Sequence, residues 1–387
     1  MVLTGETVAS YEHFGACTQA AATRNKGELA CKPVTATAAT DTPDPSAPTT
    51  ASPEAALPEP QPPVIEQPAT VVPPLMQSSV QIAAALLPLG AVGFAVDRVV
   101  PTLEAPVPQA SGSFRTTCDY SHMAYDDPIV YPGLPGASHL HTFFGNKGTS
   151  AASTAESIRT TGNSTCRGGT INRTAYWVPS MIDTVTKKPI PPDVGNFYYK
   201  QAYQLDPASP MQSLPAGLRM IAGNPSNTTA AGASGYRFRC QGGPNDSNDQ
   251  YGPTIPNCDA GAQVVQEIFF PPCWDGKNLD APDHKSHMSY PVPSLQAPGT
   301  WACPSSHPVI VPQVTFNVAY TVPTDGATKT WRLASDTYDS AQPGGYSSHG
   351  DWFNGWKQDV LDAWHSKCVA AHRDCHSHLL GDGRAMY

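Results

Sequence analysis

The chain has 387 residues, of which only 14% are charged, and a formal net charge of -9. Residues 1–108 carry 4 basic and 10 acidic groups and residues 109–387 carry 19 and 22, so there is no basic stripe to neutralise phosphates and nucleic acid is excluded as a partner. Eight of the ten cysteines follow residue 108, scattered without CxxC pairs, which argues for a disulfide framework and an extracytoplasmic location rather than a zinc ribbon.

The head, residues 1–75, reads as a disordered Pro/Ala/Thr-rich segment. From Pro33 to Pro74 there are 12 prolines in 42 residues and no aromatic, too little bulky apolar surface to offset the entropy of ordering. Residues 76–108 form a signal-like segment and linker. Their apolar run, Ile82 to Val96, has small residues at Gly93 and Ala95 where cleavage could follow. At 15 residues it is short for a membrane span. Initiation at Met76, which makes the run a signal peptide, is preferred over a signal anchor that would hold the chain at a membrane. Of 33 aromatics, 30 lie after residue 108, so one folded, monomeric domain is expected over 109–387.

Within it, GSFRTTC, RTAYWVPSMI, NFYYKQAYQL, AGLRMIAG, GYRFRC, VVQEIFF, VIVPQVTFNVAYTV and TWRLASDTY are short, β-branched or aromatic runs between turn signals. They predict a mainly β domain, an antiparallel sandwich or jelly roll with long disulfide-linked loops. One helix is predicted, near the C-terminus in NGWKQDVLDAWHSKCVAAH, with Val360, Leu361, Trp364 and Cys368 as its stripe and Asn354 as N-cap. Short local closures favour Cys240 with Cys258, Cys273 with Cys303 and Cys368 with Cys375. Glycosylation sequons begin at Asn163, Asn172, Asn227 and Asn245.

Chemistry-bearing residues concentrate in three places. ASHLHTFFGN sets His139 and His141 two apart, a spacing that in an extended strand turns both imidazoles to one face and could seat a divalent metal. CWDGKNLDAPDHKSHMSYP gathers Asp275, Asp280, Asp283, His284, Lys285 and His287 in a loop punctuated by Gly and Pro. GGYSSHGDWFNGW places His349 and Asp351 among glycines and tryptophans. A shared site requires these clusters to converge on one cleft. HRDCHSHLL, with His372, His376 and His378, reads as surface.

These motifs, with GLRMIAGN, resemble a secreted family of unknown function found in fungi and bacteria, over about residues 114–375. Fungal members often sit beside small carbohydrate-binding modules, so the resemblance implies an extracellular, single-domain protein in a polysaccharide or cell-wall setting. It points to His139, His141, Asn146, Asp275, Asp283, His284, His287, His349, Asp351 and Asn354 as signature positions. The long Pro-rich head departs from the family pattern.

The expected function is cleavage of an extracellular glycan by general acid/base chemistry, as hydrolase or lyase, with no cofactor required. His139 and His141 belong to the catalytic set. Asp283 or Asp351 supplies the carboxylate, and His284, His287 or His349 carries the proton. Arg219 or Lys285 anchors an acidic sugar, with Asn146, Trp274, Asp275, Trp352 and Asn354 as further substrate contacts. Two rivals are a non-catalytic glycan-binding protein and a metal protein built on His139 and His141.

Overall fold

The computed structural model describes residues 93–243, 251–376 and 378–387. The head 1–75, most of the apolar run and the sequon at Asn245 lie outside the described residues. Two antiparallel sheets dominate. Their strands are β1 (Val107–Pro108), β2 (Ser113–Cys118), β3 (Tyr120–Ala124), β4 (His141–Gly145), β5 (Ala175–Pro179), β6 (Val194–Lys200), β7 (Arg219–Gly223), β8 (Tyr236–Gln241), β9 (Gln263–Phe269), β10 (Gln313–Thr321), β11 (His349–Phe353) and β12 (Arg373–Asp374). A five-stranded sheet runs β7-β11-β5-β4-β3, and a seven-stranded sheet runs β8-β9-β10-β6-β2-β12-β1, with β12 and β2 parallel.

The sheets meet face to face through rings. Tyr176 of β5 stacks on Phe197 of β6 at 3.9 Å, and Phe144 and Phe316 meet the same ring edge-on at 5.4 and 4.8 Å. Such offset and edge contacts suit the aromatic quadrupole and add to the burial of large apolar area. Tyr199 closes the layer: its hydroxyl accepts hydrogen bonds from the indole N–H groups of Trp352 and Trp356 at 3.3 and 3.0 Å. Gly350 permits the close approach, since a Cβ there would lie 2.8 Å from Ile268 Cδ1.

The other face of the five-stranded sheet is covered too. Ile129, Phe143, Ile158, Trp177 and Phe353 form a second apolar cluster, capped by a short helix, α1 (Ala155–Thr160), that the sequence did not announce. Its N-terminus is a reciprocal capping box in which Thr154 and Ser157 bond each other's backbone N–H. Strands β4, β5 and β11 are therefore buried on both faces. Two-sided burial removes the alternation that marks a strand, so the runs HTFFG and HGDWF carry no strand signal in the sequence.

The predicted C-terminal helix is present as α2 (Gln358–Trp364), extended by a π turn over His365–Val369. Asn354 does not cap it: Lys357 stands at the N-cap, while Asn354 Nδ2 donates to the Pro215 carbonyl. All three expected disulfides form, and Cys118 bonds Cys166. Two sequons cannot be read as carrier sites in the folded domain, because Asn172 and Asn227 are buried and hydrogen-bonded.

The folded unit begins before residue 109. Val99–Pro101 pairs with Arg384–Met386, Asp97 takes bonds from Lys357 and Thr170, and Phe94 pairs with Ser164. Removal of residues 1–110 is therefore expected to lower the melting temperature by several degrees relative to removal of 1–92, checked by calorimetry. Replacing Cys118 and Cys166 together by Ala, which opens a closure of 48 residues, should cost about 4 kcal/mol in denaturant unfolding.

Candidate functional site

Alternation along β4 and β11 decides what faces the second, outer cluster. His141 and Phe143 point there from β4, and His349, Asp351 and Phe353 from β11, while Phe144 and Trp352 point into the main core. Register sets Asp351 opposite Trp177 and Ile221, and His349 opposite Gly223. Gly223 has φ of 81°, and a side chain there would strike His349. His139 arrives from the loop before β4, so the pair two apart meets without sharing a strand.

The three imidazoles converge through one kind of atom. His141 Nδ1–H donates to the Asp126 carbonyl at 3.0 Å and His349 Nδ1–H to the Ser347 carbonyl at 2.8 Å. Both bonds fix the tautomer and leave Nε2 with a lone pair. The Nε2 atoms of His139 and His141 lie 3.1 and 3.4 Å from that of His349. Tetrahedral ligands about 2.05 Å from a zinc-sized ion are separated by about 3.3 Å.

Carboxylates lie beneath. Asp127, His141 and Asp351 place ligand atoms within 4.8 Å of one another. Asp127 Oδ1 accepts from the backbone N–H groups of Ile129 and Val130, whereas Asp351 Oδ2 is buried with no partner among the described residues. Burial lowers His141 to about 4 and His349 to about 3, so their rings are neutral near pH 7. Burial, then the neighbouring Asp127, raises Asp351 well above the usual carboxylate range. Two imidazole lone pairs and two carboxyl groups thus crowd one point, an arrangement that a cation relieves. The His139, His141 and His349 cluster could hold a metal ion.

The loop 275–287 lies at the margin. Lys285 Nζ donates to the Gly223 carbonyl at 2.8 Å and acts electrostatically on Asp351, while also lining a shallow cleft with Asn224 and Tyr290. His284 adopts a left-handed φ of 58°, uncommon for a side-chain-bearing residue. Its Nδ1 lies 3.0 Å from Asp280 Oδ1, and Asp280 also pairs with Arg219 at 2.9 Å. Arg219 lies over the Phe353 ring, and the His287 ring N–H donates to the Arg219 carbonyl, which ties the loop to β7.

Other expected contacts are placed elsewhere. Asp283 is exposed, its carboxylate accepting from Lys285 and Ser286 N–H groups that hold it at about 2. Asp275 likewise folds its own turn through Lys277 and Asn278, and Trp274 Nε1 donates to the Asn278 carbonyl. Asn146 bonds the carbonyls of Ile158 and Thr161. Trp352 is 0% exposed, so no sugar can stack on it. No local signal singles out Asp127, since the acidic pair in YDDP lies about a dozen residues before HLH.

The profile of a known family, described as a domain of unknown function (DUF1996), matches residues 127–356. The chain belongs to this family. The matched DUF1996 stretch begins at Asp127 and closes just past β11, so it contains every residue of the cluster. No curated protein and no solved structure matches the chain. The four disulfides suggest an extracellular DUF1996 protein, and among the described residues no helix is long and apolar enough to cross a membrane.

Trp352→Ala should cost about 3–5 kcal/mol in denaturant unfolding, as for a large core truncation. Asp283→Ala should cost no more than about 1 kcal/mol, because its carboxylate serves one surface turn.

Proposed function

We propose that this protein is an exported, metal-dependent lyase that cleaves an acidic polysaccharide at a centre formed by His139, His141 and His349. The observation that carries the reading is the convergence of three imidazole Nε2 atoms, two of them left with lone pairs because their Nδ1–H groups donate to backbone carbonyls, beside the unpartnered oxygen of Asp351. When bound, a divalent metal would neutralise the carboxylate of a uronic acid as a Lewis acid. A two-carboxylate glycosidase is a poorer fit, because Asp127 Oδ1 already accepts from the Ile129 and Val130 N–H groups and serves that turn.

The side chains at the margin supply the rest. His284, oriented through Nδ1 by Asp280, presents Nε2 as the base that removes the proton alpha to the uronate carboxylate. The electron pair left behind forms a carbon–carbon double bond as the bond to the leaving oxygen breaks, and that oxygen takes up a proton. Lys285 and Arg219 supply positive charge beside the cleft. Burial of the histidines keeps them neutral and ready to ligate.

Purified protein should carry about one divalent metal ion per chain by elemental mass spectrometry, and His139→Ala or His349→Ala should lose it. Incubation with polygalacturonate and alginate should release unsaturated uronates, read by ultraviolet absorbance. His284→Ala should lower kcat by about 100-fold or more with metal retained. Metal-loaded protein that releases no unsaturated product from any acidic polysaccharide would overturn the reaction, and protein that binds no metal would overturn the centre.

A further inference from the structure

The opposite side of the sandwich carries a second set of groups that the proposed reaction does not use. On the outer face of the seven-stranded sheet, Arg115 of β2 stands opposite Tyr198 of β6, and Tyr198 opposite Thr315 of β10. Thr315 faces Phe269 of β9, and Arg237 of β8 stands opposite Glu267. Cations and rings alternate across this face. Arg115 lies 5.5 Å from the Tyr198 ring, Lys200 lies 4.6 Å from Tyr203 and 6.0 Å from Phe269, and Arg237 lies 5.0 Å from Phe269 and 3.6 Å from Tyr251.

Charge and desolvation both point to an anionic ligand. Arg115, Lys200, Arg237 and Arg239 bring four cationic groups to this face, where Glu267 holds Arg237 and Arg239, and Asp193 and Asp374 bond Thr321 and Ser113. Burial lowers the Lys200 ammonium to about 8, so an arriving anion restores solvation that the fold has removed. At the centre, the Thr315 hydroxyl is buried with no hydrogen-bond partner among the described residues. Tyr203 projects at the edge, 77% exposed.

We propose that this face is a second carbohydrate-binding surface, which holds an acidic polysaccharide chain across β2, β6, β10, β9 and β8. Five strands at their usual spacing span about 19 Å, room for several sugar rings. Sugar rings stack their apolar faces on Tyr198, Phe269 and Tyr203, and carboxylates bind Arg115, Lys200 and Arg237. The histidine centre lies on the outer face of the other sheet, so a chain held here leaves that centre open. The inference shares the ligand class of the proposed activity but none of its catalytic residues.

The test uses the full chain, with binding to polygalacturonate, alginate, neutral dextran and a poly-dT oligonucleotide measured by titration calorimetry at low and high salt. The His141→Ala variant, in which the centre is removed, should still bind the polyuronates, with affinity falling as salt rises. Lys200→Gln combined with Arg237→Gln should weaken binding at least tenfold, and Tyr203→Ala, at an exposed position, should weaken it without risk to folding. Both sets of variants should still cleave short soluble oligouronides if the lyase reading holds. Equal polyuronate binding by wild type and the Lys200/Arg237 variant overturns the surface, as does absence of binding, equal binding of dextran, or tighter binding of the oligonucleotide. Binding that follows these substitutions while no substrate is cleaved leaves the surface standing and removes only the lyase.

Discussion

Everything at the histidine centre depends on β11 being sealed on both faces. One side of the strand carries Trp352, whose indole donates to Tyr199 in the main core, and the other carries His349 and Asp351. The strand cannot shift by one residue without burying His349 and Asp351 among aromatic rings and turning Trp352 onto polar neighbours. Large apolar burial on the inner face therefore stabilises a costly cluster of lone pairs and carboxylates on the outer face. Gly350 belongs to the same constraint, because any side chain at this position would push the two sheets apart.

The second support is covalent and local. The loop that brings Lys285 and His284 to the margin is held at its base by Cys273 bonded to Cys303, and by the pairing of Cys273–Trp274 with Met288–Ser289. Within the loop, Asp275 and Asp283 each spend their carboxylates on backbone N–H groups. Their density in the sequence reflects the number of tight turns required to present two side chains, with Asp280 alone directed at His284 and Arg219. Charge in a loop can thus serve its conformation and its chemistry at once.

The mainly β class was legible in the alternating runs, and so were three disulfides whose closures are short. The bond from Cys118 to Cys166 was not, since its 48-residue span competes with many equivalent pairings. The recurrence of His with Asp at His139, His141, His349 and Asp351 marked residues that the fold does bring together. Neighbours of those residues differ from them for a reason of parity. Adjacent residues in a strand face opposite ways, so Asp351 on the outer face sends Trp352 to the core. Asn354 and Asn146 look like polar contacts in the sequence, yet both are spent on backbone carbonyls that only the tertiary fold brings near. The segment 93–108 reads as a linker in the sequence because its partner strand is nearly three hundred residues away, beyond any local signal.

That last pairing also bears on connectivity. Val99–Pro101 runs antiparallel to Arg384–Met386, and the Tyr387 N–H bonds the Arg98 carbonyl, so the two ends of the folded unit lie one strand apart. Chain order and spatial order are nearly independent in such an arrangement. A short bridge could join these ends, and the chain could be reopened in the exposed turn around Gly299, where both faces of the sandwich stay untouched. The pairing of Val99–Pro101 with Arg384–Met386 closes the described fold on itself.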